Sequence, residues 1–157
     1  MTWHALEADT IRELLPRICL EEWGWTRGEV PSLAARFGWT PWTENSPNQL
    51  FYNIGIDYRS IVAIFSFQGN DVTHLFFTLG RNEGSTTPES IMSSEILFTD
   101  THNIISETLD ESPNWLPSEN MEEEVEWVSG ASTITLMGRV DMVGVRWELT
   151  DRIESAI

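Results

Sequence analysis

Lysine is absent from this 157-residue chain, cysteine occurs once, histidine three times, and no apolar run exceeds the five residues Ile61 to Phe65. Each shortage excludes something. A single cysteine, Cys19, closes no intramolecular disulfide and leaves no Cys-based zinc site, so the composition permits a reducing compartment. Five apolar residues fall far short of the roughly 20 that cross a bilayer as a helix. Met1-Thr2-Trp3-His4 lacks the basic stretch and apolar core of a leader. The expected location is the cytoplasm. Nine arginines scattered from Arg12 to Arg152 form no basic stripe that could neutralise phosphate. That argues against nucleic acid and anionic membranes as partners.

What is abundant is acid. Twenty-five Asp and Glu against nine Arg give a formal charge of −16, which points either to a basic partner or to simple solubility. At 41% hydrophobic and 22% charged, the composition is that of a globular chain, and the length suits one domain spanning residues 1–157.

Apolar spacing sets the expected elements. Ala8, Ile11, Leu14, Leu15 and Ile18 form a helical stripe within Ala5 to Leu20, with Pro16 expected to kink or split it. Pro31, Leu33, Ala34 and Phe37 mark a second helix closed by Gly38, and Thr26 with Glu29 offers a capping box if that helix starts earlier. Alternation then predicts three strands: one through Tyr52, Ile54 and Ile56, a second from Ile61 to Phe67, and a third from Val72 to Leu79. Their short turns make an antiparallel meander, with the second strand central. Arg81 to Thr87 reads as a loop. Thr87-Pro88-Glu89 opens a helix running to about Leu109, with Ile91, Phe98 and Ile105 along one stripe and an internal break conceivable at Asp100-Thr101.

Three further strands are expected at about Val125 to Val128, Thr133 to Met137 and Val140 to Leu149, turning at Ser129 to Ser132 and at Gly138-Arg139. A short terminal helix could occupy Asp151 to Ile157. The expected class is therefore α+β: N-terminal helices, a three-strand antiparallel meander, one long helix and a second antiparallel meander, with the helices packed on one sheet face.

No arrangement of residues commits the chain to catalysis. Cys19, between Ile18 and Leu20, reads as a buried structural thiol. His74 sits inside a strand, His4 near a mobile terminus, and Asp100 and His102 point to different sides of a helix. Close acidic pairs such as Glu21-Glu22 and Asp110-Glu111 follow from composition and anchor no glycosidase reading. The ten glycines match neither a dinucleotide nor a P-loop pattern, and Glu119 to Glu126 lacks the glycine and spacing of a calcium loop. No catalytic residue, metal ligand or cofactor is expected.

Two features stand out. Trp23, Trp25, Trp39 and Trp42 cluster around the second helix; they read as core, with a ligand platform as the alternative. Glu119, Glu122, Glu123, Glu124 and Glu126 crowd into eight residues after Pro113-Asn114-Trp115-Leu116-Pro117. They read either as a solvated loop or as a surface docking on a cationic cleft, with Trp115 as anchor.

The segment Trp23-Gly-Trp-Thr-Arg-Gly-Glu-Val-Pro-Ser-Leu-Ala-Ala-Arg-Phe-Gly-Trp39 resembles the opening of a family of small acidic bacterial domains. These in turn resemble immunity proteins encoded beside secreted polymorphic toxins. The resemblance implies an antitoxin, monomeric when free, that blocks a cognate toxin with a cationic cleft, such as a nuclease or an NAD-glycohydrolase. It supplies no binding residue. The competing readings are a dimeric secretion or export chaperone with an exposed apolar patch, and a small enzyme with a polar pocket around His74 or His102.

Overall fold

The computed structural model describes residues 2–42, 46–55, 61–117 and 122–150. Among them the chain is α+β, with three α-helices and one nine-stranded antiparallel sheet. In order the elements are β1 (Thr2–Ala5), α1 (Ala8–Leu20), α2 (Val30–Arg36), β2 (Thr40–Pro41), β3 (Gln49–Asn53), β4 (Val62–Gln68) and β5 (Asp71–Glu83). They are followed by α3 (Pro88–Leu109), β6 (Asn114–Trp115), β7 (Glu123–Ser129), β8 (Ser132–Arg139) and β9 (Met142–Leu149).

The strands run β2-β3-β4-β5-β9-β8-β7-β6 across the sheet, so both meanders belong to one sheet joined where β5 pairs with β9. Strand β5 is long enough to pair twice on its other edge, with β4 along Asp71 to Phe77 and with β1 along Gly80 to Glu83. Two expectations are corrected here. His4 lies in a paired strand rather than at a loose end, and Arg81 to Glu83 continue β5 rather than forming a loop. Pairing with β1 compensates for the poor strand propensity of Gly80-Arg81-Asn82. The first meander has four strands, because Thr40–Pro41 adds to β3. Ile56 and the terminal Asp151 to Ile157 lie outside the described residues.

Helix α1 is continuous through Pro16. A mid-helix proline removes a hydrogen bond and clashes with the preceding turn, but Leu14 and Leu15 before it and Ile18 and Cys19 after it are all buried and hold both halves to the core. The Thr26–Glu29 capping box forms around a 3-10 turn at Arg27–Glu29, and α2 follows with Pro31 in its first turn. The Thr26 hydroxyl donates to Glu29 Oε2 at 2.7 Å and holds that carboxyl below its usual range. Gly38, at φ +77°, closes α2, and the chain turns back to bring Trp39 into the core. Helix α3 runs unbroken past Asp100-Thr101, capped by reciprocal bonds between Thr87 and Ser90.

Close approach of α3 to the sheet depends on glycine. A Cβ on Gly138 would lie 2.5 Å from Phe98 Cδ2, and one on Gly80 would lie 2.6 Å from Leu97 Cδ2 and from the Trp3 ring. Gly138 and Arg139 are therefore strand residues, and the turn falls at Val140-Asp141 instead. Trp127 Nε1 donates to Ser106 Oγ at 3.1 Å, so Trp127 points to the same helix-covered side. Cross-strand register puts Phe65, Leu75, Trp147, Ile134 and Trp127 in one row on that side, and every one of them is buried.

Candidate functional site

Strand alternation divides the acidic run. Successive β7 side chains point to opposite faces, so Glu123, Val125 and Trp127 share the helix-covered side, whereas Glu124 and Glu126 share the opposite face with Met137 and Thr135 of β8. Glu122, just before the strand, is ion-paired with Arg139. Glu119 lies outside the described residues. The described glutamates of the run thus occupy two faces of the sheet, and Glu122 carries its own counter-ion.

Trp115 belongs with Glu123. It stands opposite Val125 in the β6–β7 register, which turns its side chain toward α3. There the indole stacks on His102, with centroids 5.7 Å apart and planes inclined at 27°, and packs at 6.2 Å from Phe98. His102 in turn meets the Trp127 ring edge-on at 5.5 Å. Trp115 nevertheless remains 60% exposed. One ring face is fixed by packing and the rest is offered to solvent, which is the geometry of a preorganised aromatic anchor. His102 Nε2 is buried and has no hydrogen-bond partner among the described residues.

Beside the anchor, a cleft of about 310 Å³ lies between α3 and the β8–β9 hairpin, with Phe98 and Gly138 at its base. Glu95, Glu122 and Glu123 line it against the single cation Arg139. The corner therefore presents an exposed indole, an apolar base and an excess of carboxylate, a combination that favours an arginine- or lysine-bearing surface. Of these residues, Glu95 is not singled out by the sequence, Phe98 reads there only as part of the helical stripe, and His102 only as a pocket residue of the enzyme alternative. Phe98 and His102 are four apart, one turn on the same side of α3, so their adjacency was readable. Their contact with Trp115 depends on how the chain returns after α3, and no local pattern encodes that.

The other expected residues resolve differently. Trp25 and Trp39 are buried, and Trp23 packs 4.8 Å from Trp25 and 6.0 Å from Trp147. Trp39 lies against Phe37, Phe65 and Phe77. Trp25 and Trp39 are core rings, whereas Trp23 is partly buried and, with Trp25, lines a cleft of about 370 Å³. Trp25 holds a left-handed backbone, φ 57°, uncommon for so large a residue. Its carbonyl accepts from Val72 N–H at 2.9 Å, tying the tryptophan segment to β5.

Burial pushes the Cys19 thiol up to about 12, which leaves it protonated and unreactive at neutral pH. Burial also lowers the His74 pKa, with Glu148 acting against that and Arg146 with it. His74 Nδ1 lies 3.3 Å from the neighbouring Thr73 hydroxyl. Neither His74 nor His102 lines any of the three clefts that flank α1 and α3. Among the described residues no three His, Cys, Asp or Glu side chains are grouped to hold a metal ion, and no helix is long and apolar enough to cross a membrane.

No curated protein and no solved structure matches the chain. A family model does match, across residues 9–149, from the start of α1 to the end of β9. The chain belongs to that family, DUF6301, a family of unknown function.

Proposed function

We propose that this protein is an immunity protein: a non-catalytic inhibitor that binds a basic partner, a cognate toxin whose cleft is cationic because its substrate carries phosphate. The observation that carries the reading is the corner where Trp115, held by His102 and Phe98, stands on the same side of the sheet as Glu123. The net charge of −16 supports it, since a strongly negative surface speeds encounter with a cationic cleft and disfavours wrong partners. The tryptophan-rich segment from Trp23 to Trp39, which resembles the opening of a family of small acidic bacterial domains that are in turn similar to immunity proteins, is consistent with it. In this reading the protein acts in the cytoplasm of the producing cell, is monomeric when free, and needs no cofactor, nucleic acid or membrane.

Trp115 and Glu123 form the anchor pair, Glu122 acts together with Arg139, and Glu124 and Glu126 contribute long-range field from the opposite face. Glu119 keeps only its place in the run.

The test starts from the neighbouring genes. The reading requires a large secreted protein encoded beside this chain and ending in a compact basic domain. Expression of that domain alone is expected to arrest growth, and co-expression of this protein to restore it. Rescue lost with Trp115→Ala plus Glu123→Lys, in variants that remain folded, supports the assigned corner. Failure of the native protein to restore growth overturns the immunity reading.

An export chaperone is the second reading, favoured by one observation: Met92 and Ile96, one turn apart on α3, are 62% and 56% exposed. Light scattering separates the two, since the chaperone reading expects a dimer and the inhibitor reading a monomer.

A further inference from the structure

A further cleft lies on the other flank of α3, away from Trp115. It measures about 440 Å³ and is walled by β1, α1 and α3. Trp3, Leu6, Ile11, Leu97 and Ile104 form its apolar floor, and Ile96 stands at the lip. Ala5, Ala8 and Ser93 are small wall residues, which leave depth for incoming side chains and let a second backbone come close. On α3 the lining runs from Ser93 to Glu107. At 1.5 Å per residue that is a trough roughly 20 Å long, the length of about four helical turns rather than of a compact metabolite.

Its rim is charged on one side of the balance. Arg12 is the lone cation in the lining, and Asp9 already holds it at 3.0 Å. Asp100 and Glu107, two turns apart on α3, are exposed carboxylates along the same trough. Seven-residue spacing brings both to one side of the helix. Met92 extends the apolar strip one turn beyond Ile96 toward the helix start.

We propose that this groove receives a basic amphipathic helix of a protein partner, apolar residues at i, i+3, i+4 and i+7 seated on Leu97, Ile104 and Ile11, and flanking Lys or Arg facing Asp100 and Glu107. The sign of the flanking charge rests on the reading of a basic partner; the apolar groove does not. The mode is helix-in-groove recognition, and it gives the protein a second contact surface, across α3 from the Trp115 corner. Two surfaces on one partner would multiply affinity beyond either alone.

The probe is a fluorescein-labelled 15-residue peptide of leucine and lysine, with leucine at helical spacing. Its control is a peptide of the same composition in scrambled order. Anisotropy is expected to show the patterned peptide binding at least tenfold more tightly than the scrambled one, and amide shifts are expected to cluster on α1, α3 and β1. Ile96→Glu, an exposed position that leaves the core intact, is expected to weaken binding at least tenfold, as is the pair Asp100→Lys and Glu107→Lys. Equal binding of both peptides, shifts centred elsewhere, or insensitivity to Ile96→Glu overturns the proposal. So does sedimentation showing a dimer that buries this groove, which would assign it to a second copy. Because the probe is synthetic, failure here leaves the toxin assay untouched, and failure of the toxin assay leaves the groove standing.

Discussion

Truncating Trp115 to alanine separates an anchor fixed in place from a side chain that merely projects. Trp115 is 60% exposed, so about two-fifths of a ring worth up to ~250 Å² leaves water, roughly 100 Å². At ~25 cal/mol per Å² that burial contributes about 2.5 kcal/mol, or about 1.5–2 kcal/mol once the compactness of the unfolded chain is discounted. Stacking on His102 adds a further ~0.5–1.5 kcal/mol, partly offset in the variant because water reaches the unpartnered His102 Nε2. The expected net cost of Trp115→Ala is about 1.5–2.5 kcal/mol, a drop of roughly 3–10 °C in Tm for a chain of this size. Urea unfolding of Trp115→Ala, His102→Ala and the double variant measures it. A coupling of about 0.5–1.5 kcal/mol between the two positions is expected. Stability unchanged within ~0.5 kcal/mol, with no coupling, would mean that the ring is not held against α3, and the preorganised anchor would fall.

Gly138→Ala drives a methyl group into Phe98 and is expected to cost about 1–3 kcal/mol by urea unfolding, with much of that recovered by adding Phe98→Leu; a neutral Gly138→Ala would contradict the packing of α3 on β8. Cys19, with its thiol pushed up to about 12, is expected to resist a disulfide exchange reagent in the native protein at pH 8 and to react fully in urea. Fast native reaction would contradict its burial. His74 has a folded pKa below its ordinary 6.5, so the unfolded chain binds the extra proton as pH falls. Its contribution is fully present above about pH 6.5 and is lost as pH drops toward the lowered value. His74→Gln is expected to flatten that part of the stability profile, and an unchanged slope would refute the assignment.

Local patterns carried much of this fold. The capping box at Thr26 and Glu29, the Thr87-Pro88 start of α3 and the Gly38 stop of α2 all depend on neighbours within a few residues, and each was readable. Glycine misled in the second meander. Gly138 signalled a turn, but its function is to admit the Phe98 ring from a helix forty residues away, which only the tertiary fold discloses. Strand β1 was hidden for a similar reason: Thr2–Ala5 becomes a strand by pairing with the end of β5. The candidate site was half legible. Trp115 and the glutamates were found as residues, but the period of β7 set Glu123 apart from Glu124 and Glu126, and the support of Trp115 by His102 required the return of the chain across α3.

The proposed function has an acidic, tryptophan-anchored surface capture a basic partner. If a neighbouring gene encodes the basic toxin domain that this proposal requires, the decisive measurement is its association rate with this protein, followed by stopped flow from low to high salt. The expected rate falls steeply as ionic strength rises, because exposed charges are screened beyond about 10 Å at 0.1 M. Trp115→Ala is expected to dissociate faster. A rate independent of salt, together with unchanged dissociation for Trp115→Ala, would contradict the proposal.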